Sequence, residues 1–237
     1  MSTVEVKNFV KKYKETEAVK GISFSIEKGE IFGLIGPNGA GKTTALRTLA
    51  TLLQVTDGSV KILNIDIQTN PEDVRKFISY LPEDAGAYKN LSGRQYLQFI
   101  ANFFSEVKPK PLVEKGVKIA NLGNRIDDKI DTYSKGMKRR LLIGRALMIQ
   151  PKLAILDEPT SGLDVRNAQE IRSIIKTNAS MGTTFLISSH NMLEVEFLCD
   201  RIALIAEGLI VEEGKPKDLK EKYDAENIEE VFMKVVS

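Results

Sequence analysis

The sequence predicts an α/β fold: a mixed-to-parallel sheet core with N-terminal antiparallel β strands and an inserted helical subdomain. Three observations carry this. Short apolar runs bounded by glycine alternate with helical stretches in the first and last thirds of the chain. From Asp84 to Gln150 the periodicity is helical and no strand pattern interrupts it. The 237 residues are 42% hydrophobic, enough for one sizeable domain, and no internal repeat or low-complexity linker divides them.

The elements follow in order. "VEVKNFV", "GISFSIE" and "IFGLIG" read as strands, and "KTTALRTLATLLQ" continues directly as a helix to Gln54. "GSVKILN" and "FISYLP" return to strand character around a short helix, "NPEDVRK", with Asn70 as its cap and Pro71 first inside. "GRQYLQFIANFFS", "LVEKGVKIANLG" and "KGMKRRLLIGRALMIQ" form the helical insert, with Tyr96 and "FIANFF" as its own core plus an exposed part. Strands resume with "LAILDE", "TTFLISS" and "RIALIAEG" around the helical "VRNAQEIRSIIKTNAS", and a tail helix, "NIEEVFMKVV", closes the chain. The expected division is one domain over 1–237: a nucleotide-binding core at 1–83 and 151–222, a helical insert at 84–150 and a tail helix at 223–237.

Charge and composition exclude several functions. Net charge is +2, from 34 basic and 32 acidic residues that are interspersed along the chain. A nucleic-acid binder would gather its basic residues on one face, so none is expected as a partner. The single Cys199 rules out an internal disulfide and a cysteine-rich metal site, and reads as a small buried hydrophobe. "MSTVEVKNFVKKYKE" lacks the apolar core of a signal peptide, and no run approaches the roughly 18 to 20 apolar residues that cross a bilayer. The expectation is a cytoplasmic protein whose membrane role comes through a partner.

Chemistry concentrates at three strand ends. In "IFGLIGPNGAGKTTALRTL", Gly36, Gly41, Lys42 and Thr43 match the G-x-x-x-x-G-K-[ST] phosphate loop, with the required strand before it and helix after it. Glycines let successive backbone N–H groups curl around phosphate oxygens, and the helix start adds its dipole. Lys42 would reach the β- and γ-phosphates, and the Thr43 hydroxyl would ligate Mg²⁺. In "KLAILDEPTSGLD", Asp157 ends a buried strand where it would hold the metal through water. Glu158 follows, placed to polarise the attacking water as general base. His190, the only histidine, follows "TTFLISS" at another strand end, where an imidazole could bond the γ-phosphate and help position the water.

"TYSKGMKRRLL" puts a hydroxyl and a glycine before a basic amphipathic run, which suits either a capped surface helix or an anion site; nothing inside the stretch chooses. Lys138, Arg139 and Arg140 read as a solvated helix face plus a cap on the insert.

The ordered set "GPNGAGKTT", "LPED", "YSKGM", "LAILDEP", "SGLD" and "SSH" resembles the ATP-binding subunit of ABC transporters over almost the whole chain. "YSKGMKRRLLIGRALM" and "NIEEVF" look most like the ABC-2 type subgroup that exports drugs, sodium or lipids. The resemblance implies a P-loop NTPase core, ATP and Mg²⁺ as cofactors, and ATP hydrolysis that energises transport. Asn38, Gly39, Ala40 and Thr44 would join the phosphate cradle, and Tyr13 would lay its ring against adenine. Ser134 and Gly136 stand in the family's signature, usually L-S-G-G-Q, which presses on the γ-phosphate of ATP held by the opposite subunit. Asp164 would belong to the loop joining the two sites.

A second cassette is thus implied, as a homodimer or a heterodimer, together with separate transmembrane permease subunits contacted through the insert near Glu83 to Leu97. That places the chain on the cytoplasmic face of the cell membrane. Glu83 replaces the family's usual glutamine and is expected as a metal ligand. Lys135 replaces the signature's first glycine and is expected to face solvent. Two other readings share these motifs: a non-transport ATPase of the same family, and a binding-only regulatory subunit.

Overall fold

The computed structural model describes residues 2–104 and 108–236. Strand β1 (Ser2–Tyr13) turns into β2 (Thr16–Glu27), and β3 (Ile31–Ile35) leads into helix α1 (Lys42–Leu49). Strands β4 (Asp57–Ile62) and β5 (Ile65–Asp66), helix α2 (Pro71–Arg75) and β6 (Ile78–Leu81) follow. Helices α3 (Gly93–Ala101), α4 (Pro109–Ala120) and α5 (Lys135–Leu147) come next, with two short 3₁₀ turns between α4 and α5. The chain continues through β7 (Leu153–Asp157), α6 (Val165–Ser180), β8 (Thr184–Ser189) and α7 (Met192–Val195). It ends with β9 (Arg201–Ala206), β10 (Leu209–Gly214), α8 (Pro216–Tyr223) and α9 (Ile228–Val236).

Two sheets form the core. One is antiparallel with order β2-β1-β4-β5; the other runs β10-β9-β3-β8-β7-β6 and is parallel except for β10 at its edge. The parallel strands are buried along nearly their whole length because both of their faces are covered. Phe32, Leu34, Leu153, Ile155 and Leu186 pack toward the antiparallel sheet and α1. Alternate residues Ile31, Ile35, Ala154, Leu156, Phe185 and Ile187 face the helices of the other layer, with Leu141, Ile143 and Leu147 of α5. Parallel alignment puts the carboxyl ends of β3, β8, β7 and β6 side by side, in the register Ile35 beside Ser189, Ser188 beside Asp157, and Leu156 beside Leu81.

Several local expectations change. Helix α1 stops at Leu49, not Gln54: Thr51 takes a left-handed φ of 61°, and the Leu52 N–H bonds back to Arg47 O at 2.9 Å, closing the helix end. Arg75 fixes that turn through Nε to Thr51 Oγ1 at 2.8 Å. Asn70 stands before Pro71, but its side chain makes no capping bond. Strands β5 and β10 and helices α7 and α8 carry no period clear enough to announce them.

"FIANFF" joins the insert's core only in part: Ala101 is buried with Tyr96 and Ile100 packs against them, but the three phenylalanines do not. Helix α3 buries Gly93, Tyr96, Leu97 and Ala101 at helical spacing, whereas Phe99 lies off that face and Phe103 and Phe104 lie past the helix end, all three exposed. Ser105, expected to end this helix, and Ser237, expected in the tail, lie outside the described residues. No helix among the described residues is long and apolar enough to cross a membrane.

Candidate functional site

The loop from Gly36 to Gly41 joins β3 to α1 in a conformation that other residues cannot adopt. A β-carbon on Gly36 would stand 2.1 Å from Ile205 O, and one on Gly41, at φ 103°, would stand 2.4 Å from Ala18 O. The loop is held from outside by Gly36 N–H to Ser189 O at 3.2 Å and Gly208 N–H to Ala40 O at 3.1 Å. No side chain caps α1, so its first-turn N–H groups face the cavity in front of them. That cavity, about 170 Å³, is lined by Asn38, Gly39, Gly41, Lys42, Thr43, Thr44, Glu83 and Glu158, with Ala18 from β2.

Three buried charged groups meet at or beside it: Lys42 and Glu158 in its lining, and Asp157. Lys42 donates from Nζ to Gly36 O at 2.7 Å and Pro37 O at 3.0 Å, and stands 3.7 Å from Glu158 Oε1. Burial pulls its ammonium below the ordinary lysine range, against the carboxylates of Glu158 and Asp157, which push it back up. Asp157 accepts from Thr43 Oγ1 at 3.3 Å, from the Ser188 hydroxyl, and from Tyr80 Oη at 3.5 Å. Glu158 sits in a left-handed conformation, φ 47°, with its N–H on Ser188 Oγ at 3.0 Å. His190 is half-exposed, its Nδ1 2.9 Å from Glu158 Oε2.

The donor set in front of Lys42 is all oxygen: Thr43 hydroxyl, Asp157, Glu83 and Glu158. Hard cations such as Mg²⁺ take such ligands, usually one or two carboxylates completed by substrate phosphates and water. The described residues hold no group of three or more His, Cys, Asp or Glu placed to hold a metal alone. The Thr43 hydroxyl and Asp157, 3.3 Å apart, are the oxygen pair that suits an ion shared with phosphate.

The structure thus brings Gly36, Asn38, Gly39, Ala40, Gly41, Lys42, Thr43, Thr44, Glu83, Asp157, Glu158 and His190 together. Four expected residues stand apart. Tyr13 ends β1, 44% exposed, with the Lys11 ammonium 5.3 Å from its ring centre, and it does not line the phosphate cavity. Ser134 is exposed and caps α5, accepting from Met137 N–H at 3.2 Å. Gly136 is buried, and its close approach is to this chain's own Asn167: a β-carbon would lie 2.2 Å from Asn167 Cγ. Asp164 caps α6, accepting from Asn167 N–H at 2.9 Å. Lys135 is exposed, as expected, although its ammonium reaches across to Gly162.

One expectation about the basic run is wrong. Arg139 is not on a solvated face; it is buried, and its guanidinium donates to Pro159 O at 2.9 Å, Asp157 O at 2.7 Å, Glu158 O at 2.8 Å, Pro82 O at 3.1 Å and Glu83 O at 3.2 Å. The missed signal is its phase: Arg139 falls on the same helix face as Gly136, Ile143 and Leu147, all of them buried. Ser188, mid-strand in "TTFLISS", also gave no sign of its part in holding Asp157 and Glu158.

Comparison with known proteins agrees with this geometry. A family model described as ABC transporter matches residues 19–161. The linearmycin resistance ATP-binding protein LnrL of Bacillus subtilis (strain 168) is 36% identical over 227 residues, 95% of this chain and 73% of that protein. The bacitracin transport ATP-binding protein BcrA of Enterococcus faecalis is 39% identical over 220 residues, 92% of this chain and 71% of that protein. Among solved structures, a dimeric post-hydrolysis state of the ATP-binding cassette MJ0796, bound to ADP and Pi, superposes with TM-score 0.80 at 26% identity, over 90% of this chain and 98% of that one.

Proposed function

Since the chain belongs to the ABC transporter family, as an ATP-binding subunit, we propose that it hydrolyses ATP between two cassettes to drive a permease that exports its cargo. One observation carries the reading. Lys42, Asp157 and Glu158, all buried, converge under a glycine loop whose conformation excludes a β-carbon at Gly36 and Gly41. Export rests on the relatives named for linearmycin resistance and bacitracin transport.

In this proposal the cassette spans 1–237, with a core at 1–83 and 151–222, an insert at 84–150 and a tail at 223–237. The loop N–H groups of Asn38 to Thr44 wrap the phosphates, and Lys42 turns from the Gly36 and Pro37 carbonyls to the β- and γ-oxygens. Thr43, Asp157 and Glu83 would hold Mg²⁺, which neutralises charge on those oxygens when bound. Glu158 takes a proton from the attacking water as its oxygen bonds to the γ-phosphorus and the bond to the β-phosphate oxygen breaks. His190 holds Glu158 from the open side, and Tyr13 stacks on adenine.

Ser134 and Gly136 serve the neighbouring cassette's nucleotide. The insert meets the permease through an exposed aromatic cluster: Tyr88 and Phe103 each set an edge against Phe99, with ring centres 5.3 and 5.2 Å apart. This patch extends past Leu97, which is itself buried. The chain then sits on the cytoplasmic face of the membrane, held there by the permease.

The test is the mass in solution of Glu158→Gln, measured by light scattering with and without ATP and Mg²⁺. An ATP-dependent doubling supports the homodimer. A monomer at every nucleotide concentration overturns it in favour of a different partner cassette or a regulatory subunit.

A further inference from the structure

We infer that Arg139 is the positioning residue for Glu158, holding its backbone in the left-handed conformation through the carbonyl groups of Asp157, Glu158 and Pro159. The inference rests on the reading of Glu158 as the base. An L-residue at φ 47° keeps that conformation only where its surroundings over-determine it. Here the amide side is fixed by Ser188 Oγ, and the carbonyl side by one planar guanidinium that takes three consecutive carbonyl oxygens at 2.7 to 2.9 Å. A segment so held cannot rotate its peptide planes without losing bonds that no water replaces, because Arg139 is buried.

The same fork also holds the opposite wall. Its remaining bonds go to Pro82 O and Glu83 O, so one side chain sets the Glu83 segment and the Glu158 segment relative to each other and to α5. All five bonds run to carbonyls and none to a carboxylate. The cation is therefore placed to orient backbone, while Glu83, Asp157 and Glu158 balance its charge through space. Lysine cannot substitute: its three donors sit on one nitrogen and cannot span five acceptors spread over two segments.

The experiment compares steady-state ATP turnover of Arg139→Lys, Glu158→Gln and the double variant, with binding of a fluorescent ATP analogue and the thermal midpoint of each. A positioning role predicts that Arg139→Lys lowers kcat about tenfold to a hundredfold, the scale expected for a misplaced catalytic group, while KM and analogue binding stay within about twofold. In the Glu158→Gln background the lysine should cost nothing further, since there is no base left to position.

Unchanged kcat in Arg139→Lys overturns the inference, as do losses that multiply in the double variant or a rise in KM that matches the fall in kcat. Full turnover in Glu158→Gln removes the base itself, and with it both readings. If the lysine variant does not fold, Arg139→Gln removes the buried charge, keeps two N–H donors, and is judged by the same criteria.

Discussion

The two glycine-bearing helix starts of this molecule differ in what surrounds them. Helix α1 opens on Gly41 with no side-chain cap, facing a cavity lined by buried Lys42 and Glu158, with buried Asp157 bonded to Thr43. Helix α5 opens on Ser134, which caps its own first turn and lies exposed, with the Lys135 ammonium beside it turned toward Gly162. An uncapped helix start beside Lys42 is organised for a polyanion before any arrives. A self-capped, exposed start can contribute to a site only when something is brought to it. Under the proposed function, this contrast assigns chemistry to α1 and assembly to α5.

The sharpest way to break this assignment is to disable the first region's chemistry alone. Glu158→Gln keeps shape and hydrogen bonding but removes the proton acceptor, so kcat should fall about 10²- to 10⁴-fold with analogue affinity nearly unchanged. Turnover that survives would mean the acidic group beside Lys42 is not the one that acts.

Disabling the second region should separate assembly from binding. Ser134→Arg, placed in the Glu158→Gln chain, puts a long cation where a neighbouring cassette would approach. It should weaken ATP-dependent association about a hundredfold by light scattering, the scale of a misplaced charge at an interface. Analogue binding to the monomer should not change. A parallel loss of monomer binding would show that α5 serves the chain's own nucleotide and would erase the distinction.

How far the sequence could reveal each region follows from the same difference. The cradle was legible because its glycines, lysine and hydroxyl stand at fixed offsets along the chain. The tertiary contacts to Ile205 O and Ala18 O then show why only glycine fits at Gly36 and Gly41. Asp157 and Glu158 were legible as charges ending an apolar run. Arg139 was not, because a basic run on an amphipathic helix reads as solvated until the sheet beneath it fixes which side is down. Strand β10 was missed for a related reason: its half-buried pattern, Glu212 and Glu213 included, makes sense only against β9. The phenylalanines of "FIANFF" misled in the opposite direction, since hydrophobic residues on a surface have no local mark that distinguishes them from core.

A smaller effect tests the cradle's outer edge. Tyr13 stands outside the phosphate cavity at the end of β1, so its removal should leave catalysis intact and weaken only base contact. Tyr13→Ala should raise KM for ATP by about tenfold, within the range measured for loss of one base–aromatic stack, with kcat preserved. If KM does not change, the base lies elsewhere and the ring is only a partner for the Lys11 ammonium.

An effect no larger belongs to Gly136, and it decides what that glycine is for. A methyl group at this position meets the end of Asn167, whose Nδ2 donates to Asp164 Oδ2 at 2.6 Å. The amide can swing aside, giving up that bond while the Asn167 backbone N–H still donates to the Asp164 cap. Losing one exposed hydrogen bond costs about 1 kcal/mol, and replacing glycine by alanine inside a helix returns a similar amount. Gly136→Ala should therefore leave the thermal midpoint of the monomer within about 2 °C. Association of the Glu158→Gln chain with ATP present should nevertheless weaken, by about tenfold, because Asp164 and Asn167 border the turn that the second cassette must meet. Unchanged association would show that Gly136 is small only to let α5 lie against α6, and Ser134 alone would then carry the turn's role between cassettes.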